Sequence, residues 1–425
     1  MVNLRKTFGL FNYLCSTASE QPQYATGRNC GKLIITLLVL LAICFITLPA
    51  QAQYGGGTGQ ISDPYQIYTV EQMNAIGANA NDWDKHFKLM ADIDLSGFTG
   101  ADFNIIGSYV SWDSPDNKPF SGVFDGGGYS ISNFSYTSAV DVNNVGIFAY
   151  VSGENARIKD LGLIDPNIDA GAGDYVAALV GTLSSGTINN CYAKGTSVSA
   201  TGWGVGGLVG ANWGTITNCC SSGSVSGTAD VGGLVGHNFN TITDCYSTAS
   251  VSGMYSAGGL VGTNYSTISN TYAAGDVYAD QFVGGLVGSN DAGTISASLW
   301  DMDTSGLPIS AGGTGKTTAE MQTKSAFTDI GWDFVDESIN GTEDIWSICE
   351  GTNYPRLQRQ IPAGDFVCPD GISEADFSFF LTHWLDSNCD LSNDYCDGAD
   401  LNKSGTVDND DLEIFLANWQ AEGDN

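Results

Sequence analysis

The chain has 425 residues, with 47 Asp+Glu against 15 Lys+Arg and a formal net charge of −32. Phosphate binding needs clustered Lys and Arg, so that balance excludes nucleic acid as a partner. With 15% charged and 42% hydrophobic residues the chain is no disordered acidic tail, and its 55 glycines, without a collagen period, point to many tight turns.

Residues 1–52 read as a secretory signal. Lys32 precedes a charge-free, largely apolar run, Leu33 to Leu48, and then Pro49-Ala50-Gln51-Ala52, an Ala-x-Ala site cleaved after Ala52. A membrane span needs ~20 residues, so this run is short for one; the alternative is an uncleaved anchor. Cleavage removes Arg5, Lys6, Arg28 and Lys32 with Glu20, leaving 11 basic against 46 acidic residues and a charge of −35. The rest divides into a capping segment (53–135), a repeat region (136–300), a C-terminal cap and linker (301–362) and a tail (363–425).

Within the repeat region Val205-Gly-Gly-Leu-Val-Gly210 returns as Val231 to Gly236, Ala257 to Gly262 and Val283 to Gly288, at a step of 26 residues. Ile216, Ile242 and Ile268 keep that step, as do Val225, Val251 and Val277, whereas Ile295 arrives one residue late and marks a single insertion. Looser copies begin at Val176 and Asn144. Such a unit is too short to bury a core of its own. Its pieces are rich in Val, Ile, Thr and Tyr, are punctuated by Gly, Asn and Ser, and lack a helical period. Stacking one unit on the next solves the problem, giving an all-β, right-handed parallel β-solenoid with coils ~4.8 Å apart. Leu179, Leu208, Leu234, Leu260 and Leu286 should then fill the lumen. Asn190, Asn218, Asp244 and Asn270 should mark a left-handed corner.

These repeats resemble the bacterial extracellular family named for the GLUG motif, in Gly-Gly-Leu-Val-Gly-x-Asn followed by Thr-Ile-x-Asn-Cys-Tyr-Ser. The resemblance covers roughly residues 53–360, with Asp63-Pro-Tyr-Gln-Ile and Ala91-Asp-Ile-Asp-Leu95 as the opening. It implies architecture rather than activity.

Several motifs invite a catalytic reading and fail it. Arg157-Ile158-Lys159 matches a short polygalacturonase tripeptide but lacks that family's other elements, and reads as a solvated strand end. Residues 136–300 hold only Arg157, Lys159 and Lys194 against 11 acidic residues, so no basic cleft for a polyanion is visible there. His237 shares its slot with Ala211, Thr263 and Ser289, a variable position; His86 and His383 have no second His at metal spacing. Ser310 to Thr317 nearly matches a phosphate loop, yet reads as a turn into a short helix with Thr317 and Glu320 as its capping box. Cys191, Cys219 and Cys245 form a ladder of buried thiols, with pairing across coils as the alternative. Trp213, Phe239 and Tyr265 form an aromatic row that either stacks sugars or packs coil against coil.

The tail switches period. Phe377, Phe380, Leu381 and Trp384 make a helical stripe, repeated 35 residues later as Leu412, Phe415, Leu416 and Trp419. The loop before the second helix places oxygen ligands at the calcium-loop positions: Asp400, Asn402, Ser404, the Thr406 carbonyl, Asp408 and Asp411, with Gly405 at the turn. This resembles a type I dockerin, an EF-hand-like calcium module that plugs proteins into scaffolds, over roughly residues 363–422. Ser404 replaces the usual Asp or Asn. The first loop, Asp365 to Asp376, has Val367 and Pro369 at ligand positions and should bind calcium poorly. Cys349, Cys368, Cys389 and Cys396 call for disulfides in an exported protein, with three connectivities open.

Together these readings describe a secreted or cell-surface, non-enzymatic monomer. Its solenoid contacts extracellular glycans or proteins, and its calcium-binding tail attaches it to a cohesin-like scaffold. The alternative is a β-helix carbohydrate-active enzyme joined to a polysaccharide-degrading assembly.

Overall fold

The computed structural model describes residues 53–423, apart from 112, 139, 336, 369, 370, 391 and 392. The signal segment and its cleavage site lie outside the described residues. The repeats stack as parallel coils in one continuous register. Val209 pairs with Val235, Val235 with Val261 and Val261 with Val287 in a six-stranded sheet that runs from Phe148–Val151 to Val287–Asn290. On the next flank Ile188, Ile216, Ile242, Ile268 and Ile295 are successive partners. The last step holds the extra residue: Asn264 still faces Asn290, but Thr267 faces Thr294, and Ala292 between them takes a left-handed φ of 68°.

The predicted lumen forms. All five leucines of the column are fully buried, each worth roughly 1.5–3 kcal/mol relative to exposure. Asn190, Asn218, Asp244 and Asn270 turn the corner at φ 51°, 53°, 50° and 51°. A second ladder accompanies them. Asn212, Asn238, Asn264 and Asn290 pass one amide hydrogen bond from coil to coil at 2.8 Å each, and Asn212, Asn238 and Asn264 are fully buried. In the sequence these asparagines stand only as the last residue of each Gly-Gly-Leu-Val-Gly-x-Asn copy. An amide has donors on one side and an acceptor on the other, so identical side chains one coil apart satisfy each other.

At the N-terminal end the helix Val70–Ala78 starts at a Thr69–Gln72 capping box, and Phe87 and Phe124 extend the stack in register with Ile158. Beyond the last coil, residues 301–362 do more than close the end: they fold back along the outer flank. Asp301, fully buried, anchors this return by accepting from the Thr318 hydroxyl at 2.7 Å and the Tyr354 hydroxyl at 2.6 Å. The capping box at Thr317 and Glu320 is present. Phe327, Trp332, Phe334 and Trp346 pack over Tyr246 and Tyr272, and Gln360 reaches the Asn218 carbonyl, 142 residues away in sequence.

In the tail, helices Glu374–Thr382 and Asn409–Gly423 meet through Phe377, Phe380, Phe415 and Trp419. The stripes are narrower than the pattern predicts, since Leu381 and Leu416 are exposed and Trp384 lies beyond its helix. The disulfides are Cys349–Cys368 and Cys389–Cys396, while Cys191, Cys219, Cys220 and Cys245 are buried free thiols.

Candidate functional site

The site arises where the irregular return crosses the regular stack. Gly162, Tyr192, Cys220, Tyr246 and Tyr272 occupy one outward column, coil by coil. The fold-back segment covers Tyr272 and Tyr246, which stack at 4.9 Å, and ends at Cys220, whose thiol donates to Gln360 Oε1. Tyr192 is the next ring of the column; like Tyr246 it is half-buried, whereas Tyr272 is fully buried. Tyr192 lies over Gly162, where a β-carbon would come within 2.4 Å of the phenol tip and push the ring aside. An open cleft of about 660 Å³ remains there. Gly162, Tyr192, Tyr246 and Tyr272 of the column line it together with Asp160, Asn190, Arg356 and Arg359, and Asn418 joins them from the last helix.

Charge in the cleft departs from that of the chain. Lys194, Arg356 and Arg359 line it against Asp92 and Asp160. Burial pushes the Asp160 carboxyl up, but hydrogen bonds from Asn190 (2.8 Å) and Lys159 (2.9 Å), with the charges of Lys159 and Arg359, outweigh it and hold the group below its usual range. Asp92 accepts from the Ser130 amide and hydroxyl at 2.7 and 3.0 Å. Arg356 stands 3.9 Å from Asp365, whereas Lys194 and Arg359 make no ion pair among the described residues. Burial pushes the Cys220 thiol up to about 12, so it is no thiolate nucleophile. The arrangement presents aromatic rings, amides and two cations, Lys194 and Arg359, that stand in no close ion pair among the described residues.

The other predicted sites look different in three dimensions. Trp213, Phe239 and Tyr265 do form a row, but its rings stack on one another at 4.4 and 4.7 Å with planes 6° and 3° apart. Both faces of Phe239 are therefore covered, and Tyr265 at the end of the row is 42% exposed. His237, in register with Ala211 and Thr263, pairs with Asp230 at 2.8 Å under the edges of Tyr175, Phe239 and Tyr265. Arg157 opens a strand, and Lys159 is tied to Asp125 and Asp160.

The loop from Asp400 to Asp411 closes on its own backbone. Asp400 accepts from the Ser404 and Gly405 amides, and Asp411 from those of Asn402 and Asp408, all at 2.8–3.0 Å. Asn402 accepts from Ser404, the Ser404 hydroxyl donates to the Thr406 carbonyl, and Asp408 accepts from Asp410. The first loop repeats this plan: Asp376 accepts from the Phe366, Val367 and Ser373 amides. The donor set is oxygen-only and Asp400 and Asp411 are buried, which suits calcium chemistry. Among the described residues, however, no three His, Cys, Asp or Glu side chains converge as a metal-holding group.

Sequence reading missed the cleft. Tyr192, Tyr246 and Tyr272 could have been found from their place after the inward ladder, but Arg356 and Arg359 lie beyond the repeats and carry no local signal of where they dock.

The fold is that of a repeat β-solenoid with a lateral cleft of ligand size. The family model described as the GLUG motif matches residues 227–252 and 254–278, so the stack contains GLUG repeats. Halomucin of Haloquadratum walsbyi (strain DSM 16790 / HBSQ001) is 33% identical over 144 residues, 33% of this chain and 2% of halomucin. A protein provisionally named a Gly-rich membrane protein, from Evansella cellulosilytica, is 30% identical over 148 residues, 32% of this chain and 15% of that protein. The chain thus spans only a small part of the length of these relatives. Among solved structures, a Bacteroides ovatus protein provisionally assigned as an immunoglobulin A1 protease aligns with a TM-score of 0.49 at 20% identity, covering 72% of this chain and 96% of that one. Among the described residues no helix is long and apolar enough to cross a membrane.

Proposed function

We propose that this is an exported, cell-surface binding protein without catalytic activity, whose GLUG solenoid holds a glycan in the lateral cleft. The observation that carries the reading is the half-buried Tyr192 ring in an open cleft ringed by amides and charged side chains; sugars stack an apolar face on such a ring and hydrogen-bond around it. Burial keeps Cys220 a neutral thiol and the wall carboxylate Asp160 is held ionised, which favours binding over acid–base work. The surface setting is drawn from the secretory signal and from relatives named as a mucin and a membrane protein. Trp213, Phe239 and Tyr265 offer a second, weaker contact line through ring edges and the terminal Tyr265. The test is a glycan array probed with the labelled full chain, with reducing-sugar release measured alongside. Retention that Tyr192→Ala abolishes, without sugar release, supports the reading; release of reducing ends would turn it to an enzyme.

The tail belongs to the same proposal as a dockerin-like attachment module for a cohesin-like scaffold, ordered by calcium. Asp400, Asn402, Ser404, the Thr406 carbonyl, Asp408 and Asp411 would hold the ion. Calcium there supplies the positive charge that a tail with 15 acidic residues and Lys403 alone lacks.

A further inference from the structure

The chain is strongly acidic, yet the cleft is not. Three cations line it against two carboxylates, in a protein with 47 acidic and 15 basic residues. Both carboxylates are occupied, Asp160 by Asn190 and Lys159 and Asp92 by Ser130. Lys194 and Arg359 make no ion pair among the described residues, although the charge of Arg359 reaches Asp160. They come from opposite sources. Lys194 lies within the Thr187–Ser199 strand of the stack, two residues after Tyr192, and Arg359 is carried in by the fold-back segment whose Gln360 grips the Asn218 corner. Positive charge left unpaired beside an aromatic ring in an acidic protein matches a ligand that joins a carboxylate to an apolar ring face.

We infer that the cleft recognises a carboxylated sugar, a uronate unit of an acidic glycan, whose carboxylate is taken by Arg359 and Lys194 while its ring packs on Tyr192. This deepens the glycan-cleft reading and rests on it. A guanidinium matches the two oxygens of a carboxylate in its plane, which a hydroxyl cannot reproduce. The net charge of −32 repels a polyanion elsewhere on the surface, so the site takes one uronate or a short end rather than a long run.

The test is titration calorimetry of the full chain with digalacturonate, dimannuronate and diglucuronate, each beside its dimethyl ester. At least one acid should bind, with its ester about tenfold weaker. Arg359→Ala and Lys194→Ala should each weaken the acid about fivefold or more while leaving ester affinity and the melting temperature unchanged, and Arg359→Lys should restore only part. Equal affinity for acid and ester, both lost in Tyr192→Ala, would overturn the carboxylate assignment and leave the glycan cleft standing. Acid binding indifferent to both charge-removing variants would place the carboxylate elsewhere and overturn it too. Neutral glycans retained on the array with no acid bound would sink this inference alone, and no retention of any glycan would sink both.

Discussion

In the repeat region the ladders of buried side chains run like to like from coil to coil: Leu208 and Leu234, Ile216 and Ile242, Asn212 and Asn238. Between Asp301 and Ile361 the partners are unlike and distant: Tyr354 with Asp301, Trp346 with Tyr246 and Gln360 with Cys220 and Asn218. The first kind of packing is periodic and has no preferred place along the stack for a ligand. The second breaks that equivalence. By packing on Tyr272 and Tyr246 and ending at Cys220, beside Tyr192, it makes this end of the column different from the rest and brings arginines to it. Regular stacking supplies the wall, and an irregular segment makes a site of it.

The sharpest way to break that comparison is by register. Deleting Gly232 to Ala257 removes 26 residues, one coil, and should leave a cooperatively melting, shorter protein. Deleting Gly232 to Asp244, 13 residues, throws every ladder onto the wrong flank and should abolish the folded state in a circular-dichroism melt. Equal tolerance of both would argue against stacked coils as the unit of stability.

Within the stack, Leu234→Ala should cost about 2–5 kcal/mol in urea unfolding. Asp301→Ala tests the other region. It removes the acceptor of the half-buried Thr318 and Tyr354 hydroxyls, at about 0.5–1.5 kcal/mol each, and should release the fold-back segment. Glycan retention should be lost while the repeat melt survives. Loss of both together would show that the segment and the stack form one cooperative unit.

The two halves of the tail sharpen the contrast on a smaller scale. Calcium should raise the melting temperature of the full chain and Asp411→Ala should remove that response, with affinity on the order of 10⁻⁴ M. Asp376→Asn should leave the calcium response intact. Its three amide partners are nonetheless in place, so it should lower stability by about 1–3 kcal/mol even in chelator. A calcium response lost equally in both variants would undo the assignment of binding to the second loop.

The smallest effect expected is at acid pH. Burial raises Asp230, but hydrogen bonds from His237, Thr263 and Ser256 and the charge of His237 outweigh it, holding the folded pKa below its unfolded value of 3.8. The stabilisation is therefore present above that value and is lost as pH falls through the lower folded one. Asp230→Asn should flatten the acid limb of a stability–pH curve below about pH 4 and leave its neutral plateau shape unaltered.

Much of this was legible in the residues alone. A step of 26 repeated without drift determines the parallel register, the leucine column and the left-handed Asn corner, because in a stack a residue's partner is its own copy one period on. Even the late Ile295 located its insertion. The aromatic row was legible as a row but not as rings covering one another, since spacing shows that side chains align and not which way their planes face. Asp376 read as part of a degenerate loop because ligand positions were counted, whereas the structure uses it to close that loop through backbone amides. The cleft was hidden altogether. Arg356 and Arg359 reach the Tyr192 flank through the Asp301 anchor and the tryptophan packing over Tyr272, contacts between unlike residues far apart in the chain. Periodicity determines what repeats; where a non-repeating segment comes to rest is decided by shape and burial, which only the tertiary structure holds.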